Sequence, residues 1–479
     1  MLFSLMKYEW RNLSADRTPL AIALLLGAAL AYGAWNGSQW VNFQRTAIQS
    51  ALQEEQERLR GVRAEIPKIE SGEIKASPFT DPRLPQALGR GPGARYAVMP
   101  PSALGALAVG QSDLYPYYFK VTTGSKQTFL NADEIENPVH LLAGRFDLSF
   151  VLLYLFPLVI LACSYNLVSA EKEGGTLALA LSQPVTLPAL VMAKLLPRAA
   201  LVMTLAVLLP LAGVVMGGTN LSADGAGVRL LFWIAITAAY GAFWFALAVA
   251  VNALGRSSAT NAMALAGLWL MFVVVIPSVL NVAVKAAYPV PSRVDLIQAT
   301  RVAGDAATRQ GSKLLARYLE DHPEMAPAEK GGAPDFGTIQ VAVSEATERA
   351  VQPVLDRFDA QVAGQQRIVD RFRYLSPAIV AQSAFNDLAG ASAQRYSHFL
   401  AQADQYHRQW REYFVPRILR KVKLSTADLD QLPTFRYREE DLSDIASRLQ
   451  IAFLGLLIPV LLVAFPAWRW LGRYPIAGS

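Results

Sequence analysis

The sequence predicts an all-α polytopic membrane protein with six transmembrane helices, an N-terminal amphipathic helix and two long segments outside the cytoplasm. Two observations lead to this fold class. The chain of 479 residues is 53% hydrophobic and only 17% charged, whereas soluble domains carry about 25% charged residues. The apolar residues are also concentrated in runs close to the roughly 20 residues that a helix needs to cross the hydrocarbon of a bilayer.

The predicted spans occupy residues 19–35, 147–168, 195–217, 229–251, 262–284 and 449–468. Pro157 and Pro277 lie inside the second and the fifth span, where we expect them to kink the helix. Cys163 lies in the second span and is expected to be a small packing residue. With a single cysteine, the chain cannot form an internal disulfide bond.

Residues 1–18 are predicted to form a helix on the cytoplasmic membrane surface. Leu2, Met6 and Trp10 recur at helical spacing, and basic residues lie between them. An apolar side next to a basic side is typical of a helix that lies in the interface and contacts anionic headgroups. The lipid bilayer is therefore the first expected partner of the chain.

The basic residues orient the spans. The short loop 218–228 carries no Lys or Arg, and the positive-inside rule therefore places it on the outer side. Both termini, the tail 469–479 and the loop 169–194 are then cytoplasmic. The basic residues expected at the cytoplasmic side are Lys7, Arg11, Arg17, Lys172, Lys194, Arg198, Arg256, Arg469 and Arg473.

Two long segments, 36–146 and 285–448, then lie outside the cytoplasm. The first is predicted to be mixed, with a polar helix over 44–66, a Pro/Gly-rich loop over 77–108 and a strand-like stretch within 115–129. The second is predicted to be mainly helical, with amphipathic helices over 341–372 and 392–422 that are separated by a break at Ser376-Pro377. An antiparallel hairpin of these two helices is the expected arrangement.

The sequence contains no recognisable catalytic or metal site. Its histidines are scattered, and the nearest approach to a metal-binding group, Asp321 and His322 near Glu324, has no supporting cluster. The net charge of +6 is no argument for a nucleic-acid partner. The central parts of the predicted spans carry no Asp, Glu, Lys, Arg or His, which disfavours a proton- or sodium-coupled transporter. Energy for transport would then come from a partner. The histidines are His140, His322, His398 and His407.

The loop 169–194 carries the most distinctive motif of the chain. An acidic-basic-acidic turn is followed by two glycines, a Thr-Leu pair, a short apolar helix and a proline. This pattern resembles the ABC-2-type exporter permeases, and the likeness extends to Asn137-Pro138, to 144–148 and to Leu375-Ser376-Pro377 followed by 387–390. Both long outer segments are larger here than in the simplest members. The motif residues are Glu171, Lys172, Glu173, Gly174, Gly175, Thr176, Leu177 and Pro184.

The resemblance implies a permease subunit of an ATP-driven exporter in the bacterial inner (cytoplasmic) membrane. Such a subunit works with a separate ABC ATP-binding subunit, which holds the ATP and Mg²⁺, and with a second permease copy or a paralogue. The chain itself would then be no enzyme and would bind no cofactor. The large outer segments add periplasmic proteins to the partners to be considered.

The resemblance also assigns a role to the loop, because such permeases carry a coupling helix there that docks in a cleft of the ATPase. Glu171 and Glu173 are expected to pair with basic groups of the ATPase. Leu177, Leu179 and Leu181 offer apolar anchors, and the glycine pair lets the backbone turn sharply out of the second span.

Two alternatives remain open at the level of sequence. The chain could be an ATPase-coupled membrane protein that transmits motion to periplasmic partners without moving a solute through its spans. It could also be an outward-facing sensor or scaffold without an ATPase partner. A continuous cavity between two protomers would favour export, whereas a sealed interface would favour transmission.

Overall fold

The computed structural model describes residues 2–15, 17–77, 79–126, 146–216, 225–290, 293–323 and 336–474. Within these ranges the chain is mostly helical, and six of its helical stretches are long and apolar enough to cross a membrane. The protein is therefore a multi-pass helical membrane protein, and the predicted fold class is confirmed.

The helices and strands follow one another in a simple order. The elements are α1 (Leu2–Ala15), α2 (Arg17–Glu70), α3 (Pro85–Arg90), β1 (Arg95–Val98), β2 (Tyr118–Val121), α4 (Leu148–Phe150), α5 (Phe156–Ser164), α6 (Ser169–Glu173), α7 (Leu177–Leu181), α8 (Leu187–Met216), α9 (Ala226–Ala253), α10 (Ser258–Trp269), α11 (Ile276–Ala287), α12 (Arg293–Arg309), α13 (Gly311–Asp321), α14 (Phe336–Phe372), α15 (Pro377–Ala389), α16 (Ala393–Leu419) and α17 (Leu442–Leu471). Spans 1 to 6 are the first part of α2, the pair α4–α5, α8, α9, the pair α10–α11, and α17.

Several span helices continue beyond the predicted limits, because hydropathy marks only the part of a helix that matches the hydrocarbon. Span 3 begins at Leu187, and span 6 covers Leu442–Leu471. The largest difference concerns the first span, which continues without a break through the polar stretch 44–66 to Glu70. The two helices predicted there form one helix of 54 residues.

A single residue separates each of Pro157 and Pro277 from the end of a π-helical segment. These segments are Val151–Leu155 in span 2 and Leu270–Val275 in span 5. A π turn pairs a carbonyl with the N–H five residues later, so the carbonyl of Phe272 would need the N–H that Pro277 lacks. The Ser376 hydroxyl donates to this carbonyl instead. The predicted disturbance of both helices is thus present as a change of helix type.

Asp147 fixes the start of span 2. One carboxylate oxygen accepts hydrogen bonds from the backbone N–H of Phe150 (2.7 Å) and the Ser149 hydroxyl (2.8 Å), which caps the helix. The other oxygen accepts from the N–H of Val109 at 2.7 Å. Because Val109 belongs to the first long segment, this carboxylate joins that segment to the membrane helices.

Spans 2 and 4 form the centre of the membrane region. In each of these two spans, 61% of the residues in the most apolar 18-residue stretch are buried within the chain. In the other spans this share is 22% or less. Trp233, Tyr240 and Trp244 of span 4 are almost completely buried there, and the Tyr240 hydroxyl donates to the carbonyl of Leu153 in span 2 at 2.9 Å. In the remaining spans, most residues of the most apolar stretch are at least partly exposed.

A second core lies in what we call the long-segment domain: the end of α2 beyond residue 59 with the described parts of 79–126, 293–375 and 391–440. It contains Ile66, Leu88, Phe399, Trp410 and Phe414, all essentially unexposed. β1 and β2 pair antiparallel, with Arg95 opposite Val121. This pairing confirms the strand predicted within 115–129, of which residues 127–129 lie outside the described part.

The predicted helical hairpin is only partly correct. The start of α14 does pack against the end of α16, where Arg411 lies 3.1 Å from Glu345 and 2.9 Å from Glu348. α14 also packs against α12, α13 and α11.

Between α14 and α16 the chain forms α15, which lies among the spans. The ring centre of Phe385 lies 4.4 Å from that of Trp233 in span 4, and the side chain of Val380 lies beside Gly455 of span 6. Part of the segment 285–448, which the orientation of the spans places outside the membrane region, therefore packs among the spans.

Candidate coupling site

The loop between spans 2 and 3 is built from two short helices. Span 2 is followed by α6, the chain turns at Gly174 and Gly175, and α7 leads to span 3. Gly175 has φ of +70°, a left-handed conformation that glycine adopts without steric cost. The predicted turn residues are thus where the sequence placed them, and α7 is the short apolar helix of the motif.

Glu171 is bound within the chain. One carboxylate oxygen accepts a hydrogen bond from the ammonium group of Lys194 in span 3, at 2.7 Å. The other accepts from the Thr176 hydroxyl, and the Thr176 N–H donates to the Glu171 carbonyl at 2.9 Å. The Lys194 side chain is only 6% exposed and that of Glu171 28%. This ion pair ties the loop to span 3.

Glu173 ties the same loop to span 5. Its carboxylate accepts hydrogen bonds from the backbone N–H of Ser258 at 2.7 Å and from the Ser258 hydroxyl at 2.8 Å. Ser258 is the first residue of α10, where unpaired N–H groups and the helix dipole favour a negative charge. The Ser258 hydroxyl also lies 2.8 Å from the hydroxyl of Ser169 in α6.

Lys172 completes the contact with the loop between spans 4 and 5. Its ammonium group donates to the carbonyl of Gly255 at 3.1 Å and lies 6.0 Å from the ring centre of Tyr474. Each charged residue of the acidic-basic-acidic motif is therefore hydrogen-bonded within its own chain. We call Glu171, Lys172, Glu173, Lys194 and Ser258 the loop brace.

Below the brace, two asparagines hold the ends of spans 2, 4 and 5 together. The Asn252 amide donates to the Ser164 carbonyl at 2.9 Å, and its oxygen accepts from the Val168 N–H at 3.2 Å. The Asn261 amide lies 3.4 Å from the Ser169 hydroxyl. Both asparagines are 1% exposed. The sequence shows that both asparagines lie near the ends of spans, but it does not show that they hydrogen-bond to the end of span 2.

Glu171 and Glu173, which are expected to pair with basic groups of an ATPase, are both engaged within the chain by Lys194, Thr176 and Ser258. The reason is that span ends on both sides of the loop supply donors within reach. Sequence reasoning missed Ser258 entirely. A serine pair just before an apolar helical run at 257–258 is the signal for a helix start that could have indicated it.

The exposed surface of the loop is mostly polar but includes one large apolar side chain of α7. Leu179 is 70% exposed, whereas Leu177 is 5% exposed and packs into the core of the spans. Leu181 is half-buried and Pro184 is exposed. Of the three predicted apolar anchors, only Leu179 is thus freely available to another protein.

No group of three His, Cys, Asp or Glu side chains that could hold a metal occurs in the described part of the chain. The imidazole of His398 lies 3.0 Å from the Arg438 carbonyl, and that of His407 lies 2.8 Å from the Gly124 carbonyl. Burial lowers the pKa of His407 to about 4. His140 and Glu324 lie outside the described residues. The same holds for 137–138 and 144–145, which contribute to the resemblance to the ABC-2-type permeases.

Residues 293–438 match a family described as a domain of unknown function, DUF3526. The match covers less than a third of the chain and lies in the second long segment, from α12 to the residues just after α16. No curated protein matches the chain. The region of established similarity is thus the one that includes α15.

Proposed function

We propose that the chain is the transmembrane permease subunit of an ATP-driven ABC transporter of the exporter type, and that the loop between spans 2 and 3 receives the motion of a separate ATPase subunit. The cellular setting of this proposal is the bacterial inner membrane, with both termini in the cytoplasm. The ATPase would hold the ATP and Mg²⁺, since the sequence has no phosphate-binding loop of the Gly-x-x-x-x-Gly-Lys-Ser/Thr type.

The observation that carries the proposal is the loop brace. A loop without bonds to the spans would bend when an ATPase displaced it, and little of the movement would reach the spans. Here Glu171 binds Lys194 of span 3 and Glu173 binds Ser258 of span 5. A displacement of α6 and α7 is therefore passed to several spans together, as a rigid-body switch between two arrangements requires.

The contact with the ATPase is assigned to the exposed side of α7. Leu179 projects from this helix with 70% of its surface free. A leucine that enters an apolar cleft of a partner would bury most of that surface, and central apolar anchors of this kind dominate the energy of many interfaces. The acidic motif then serves to hold α7 in place, which revises its role from direct contact to positioning.

A second permease subunit belongs to the same proposal. In span 5, only 11% of the residues in the most apolar 18-residue stretch are buried within the chain. Lipid or another permease must cover that surface, and a pair of permeases would place two coupling loops under two ATPase subunits. The choice between an identical copy and a paralogue is left to experiment.

The test compares Leu179→Asp with Val302→Asp. Val302 lies on α12 and is 61% exposed, so it is a matched apolar surface position far from the loop. The tagged proteins are purified from native membranes in mild detergent, and co-purified ATPase is measured by mass spectrometry and ATP hydrolysis. We expect the unaltered chain and Val302→Asp to retain the ATPase, and Leu179→Asp to lose at least about 90% of it, since an interface anchor contributes about 2 kcal/mol or more.

Either of two results would overturn the proposal. If no ATPase accompanies the unaltered chain, the coupled function is wrong. If Leu179→Asp retains as much ATPase as Val302→Asp, the docking surface is not α7.

One structural feature favours the transmission of motion as a second candidate. α2 continues from the first span directly into the long-segment domain, so a tilt of this span would move that domain. Spin labels at Gly61, which has free space around it, would report this movement between two protomers. A large ATP-dependent distance change without ATP-dependent solute flux in proteoliposomes would favour transmission over export.

A further inference from the structure

A cavity of about 890 Å³ lies in the long-segment domain, remote from the coupling loop. Its walls come from the end of α2, the turn before α3 and α3 itself, the start of α14 and the end of α16. The volume falls within the range of roughly 300–1,000 Å³ that is typical of small-molecule sites. Two of the four walls, α14 and α16, belong to the region that matches the family.

The cavity is mainly apolar. Pro85, Val341 and Ile418 contribute to the walls. Two aromatic side chains stand at its edge, Phe79 and Phe336, with their ring centres 6.0 Å apart and most of their surface exposed. Exposure of aromatic rings to water is unfavourable, and rings beside a cavity can cover an apolar ligand. We therefore expect the apolar part of a ligand to lie next to these two rings.

The charged residues that line the cavity have an excess of positive charge. Arg90, Lys421 and Lys423 are opposed by Glu65 as the acidic side chain. All three cations are exposed, and the Arg90 guanidinium lies 5.8 Å from the ring centre of Phe336. An apolar cavity with cations at its edge attracts a ligand that combines an apolar body with a negative charge.

The backbone at Lys421 provides an independent observation. Lys421 has φ of +53° and is the one non-glycine residue with positive φ in the described part of the chain. It follows the C-terminus of α16, where its N–H donates to the Ile418 carbonyl at 3.1 Å and the Val422 N–H donates to the Arg417 carbonyl at 3.0 Å. Glycine is the usual residue at such a helix end. A lysine in this strained position is consistent with a role for its side chain.

We propose that this cavity binds an anionic amphiphile, a molecule with one apolar chain or ring system and a phosphate or similar anionic headgroup. Lys421 and Lys423 bind the headgroup, and the walls with Phe79 and Phe336 enclose the apolar part. The proposal goes beyond the coupling function and does not rest on it, because the cavity and the loop lie in different parts of the molecule.

The experiment measures binding of octyl phosphate to the full chain in phosphatidylcholine nanodiscs by titration calorimetry, with empty nanodiscs subtracted. Octanol and inorganic phosphate serve as the neutral and the chain-free counterparts. The variants are Lys421→Gly, Lys423→Gln and their combination, and the control is Lys313→Gln on α13, which is exposed and outside the cavity.

We expect saturable binding of octyl phosphate and none of octanol or inorganic phosphate at the same concentrations. The combined variant should bind at least tenfold more weakly, and Lys313→Gln should bind as the unaltered chain does. Lys421→Gly should unfold at the same or a higher temperature, because glycine relieves the backbone strain. Weak binding by this variant then reports the lost ammonium group and not a loss of fold.

Several outcomes would overturn the proposal. Absence of saturable octyl phosphate binding would do so directly. Equal binding of octanol would remove the role of the charge, and equal binding of inorganic phosphate would reduce the site to an ion site without use of the cavity. Equal binding by the combined variant and Lys313→Gln would show that the two lysines do not hold the headgroup. None of these results depends on an ATPase.

Discussion

Glu171 and Lys194 form the ion pair at the centre of the loop brace. Removal of the one side chain should destabilise the loop by a different amount from removal of the other. Glu171→Ala leaves the Lys194 ammonium, which is 6% exposed, without a counter-charge. Lys194→Met leaves the Glu171 carboxylate, which is 28% exposed and still accepts a hydrogen bond from Thr176. Because an uncompensated charge costs most where water cannot reach it, the loss of the glutamate should be the more damaging change.

The magnitude follows from the burial. Removal of one partner of a fully buried ion pair costs about 3–5 kcal/mol, and the partial exposure of Glu171 lowers this to about 2 kcal/mol. The cost of Lys194→Met should be about 0.7 kcal/mol, in the range of a partly exposed pair. If these values are costs of local opening, they correspond to about 30-fold and about threefold faster amide exchange in the loop. The double variant should resemble Lys194→Met, since it contains no isolated charge.

Hydrogen–deuterium exchange followed by mass spectrometry measures these ratios for peptides that cover α6 and α7, with the protein in nanodiscs. Peptides from α16 serve as an internal reference, because that helix lies in the core of the long-segment domain. The reasoning would be refuted if Lys194→Met opened the loop more than Glu171→Ala, or if the two effects simply added in the double variant.

Two further predictions have a defined sign. His407→Gln should reduce the sensitivity to acid. The pKa of His407 is held by burial at about 4 in the folded chain and is 6.5 without that burial, so the unfolded chain binds more protons between these pH values. Stability should therefore fall by up to about 3 kcal/mol as the pH falls from 6.5 to 4, and unfolding temperatures at pH 7 and pH 4.5 should differ less in the variant. Equal acid losses would contradict this. Gly175→Ala should destabilise the chain by about 1 kcal/mol because φ is +70°, whereas Gly61→Ala within α2 should stabilise it by up to about 1 kcal/mol. Neither new Cβ meets an atom within 4 Å, so thermal shifts of the same sign would count against the backbone argument.

The spans could be predicted because the bilayer imposes a length and a composition that are visible in the sequence. Their ends could not, since helices continue wherever no residue breaks them. α2 illustrates this: between the predicted helices 19–35 and 44–66 the sequence has Gly37 but no proline, and the helix passes through. The carbonyl of Ala106 lies so near Gly37 that a Cβ there would be only 2.1 Å from it. The glycine is thus explained by close packing and not by a turn.

The candidate coupling site could be predicted as a motif but not as a set of contacts. The sequence indicated which residues of 169–184 are unusual for a span boundary. It could not indicate that Glu171 reaches Lys194 or that Glu173 reaches Ser258, because these pairs depend on how spans 3 and 5 pack beside span 2. The negative charge of a glutamate can be paired by a basic residue of its own chain or of another protein, and the sequence does not distinguish these cases. Only the packing decides between the two.

The position of α15 shows how a short apolar helix can be missed and why it lies where it does. With 13 residues it is too short to cross the bilayer, so hydropathy over a span-length window does not detect it. Its side chains Val380, Phe385 and Leu388 are nevertheless fully buried among the spans. Its depth is fixed at one end by Ser376, which donates to the Phe272 carbonyl that Pro277 leaves without an intrahelical donor. The family-matched region 293–438 therefore includes a helix whose surroundings are the membrane spans. A fragment limited to that region would expose the apolar face of α15 to water, so the region is better regarded as a part of the membrane protein than as a separate soluble domain.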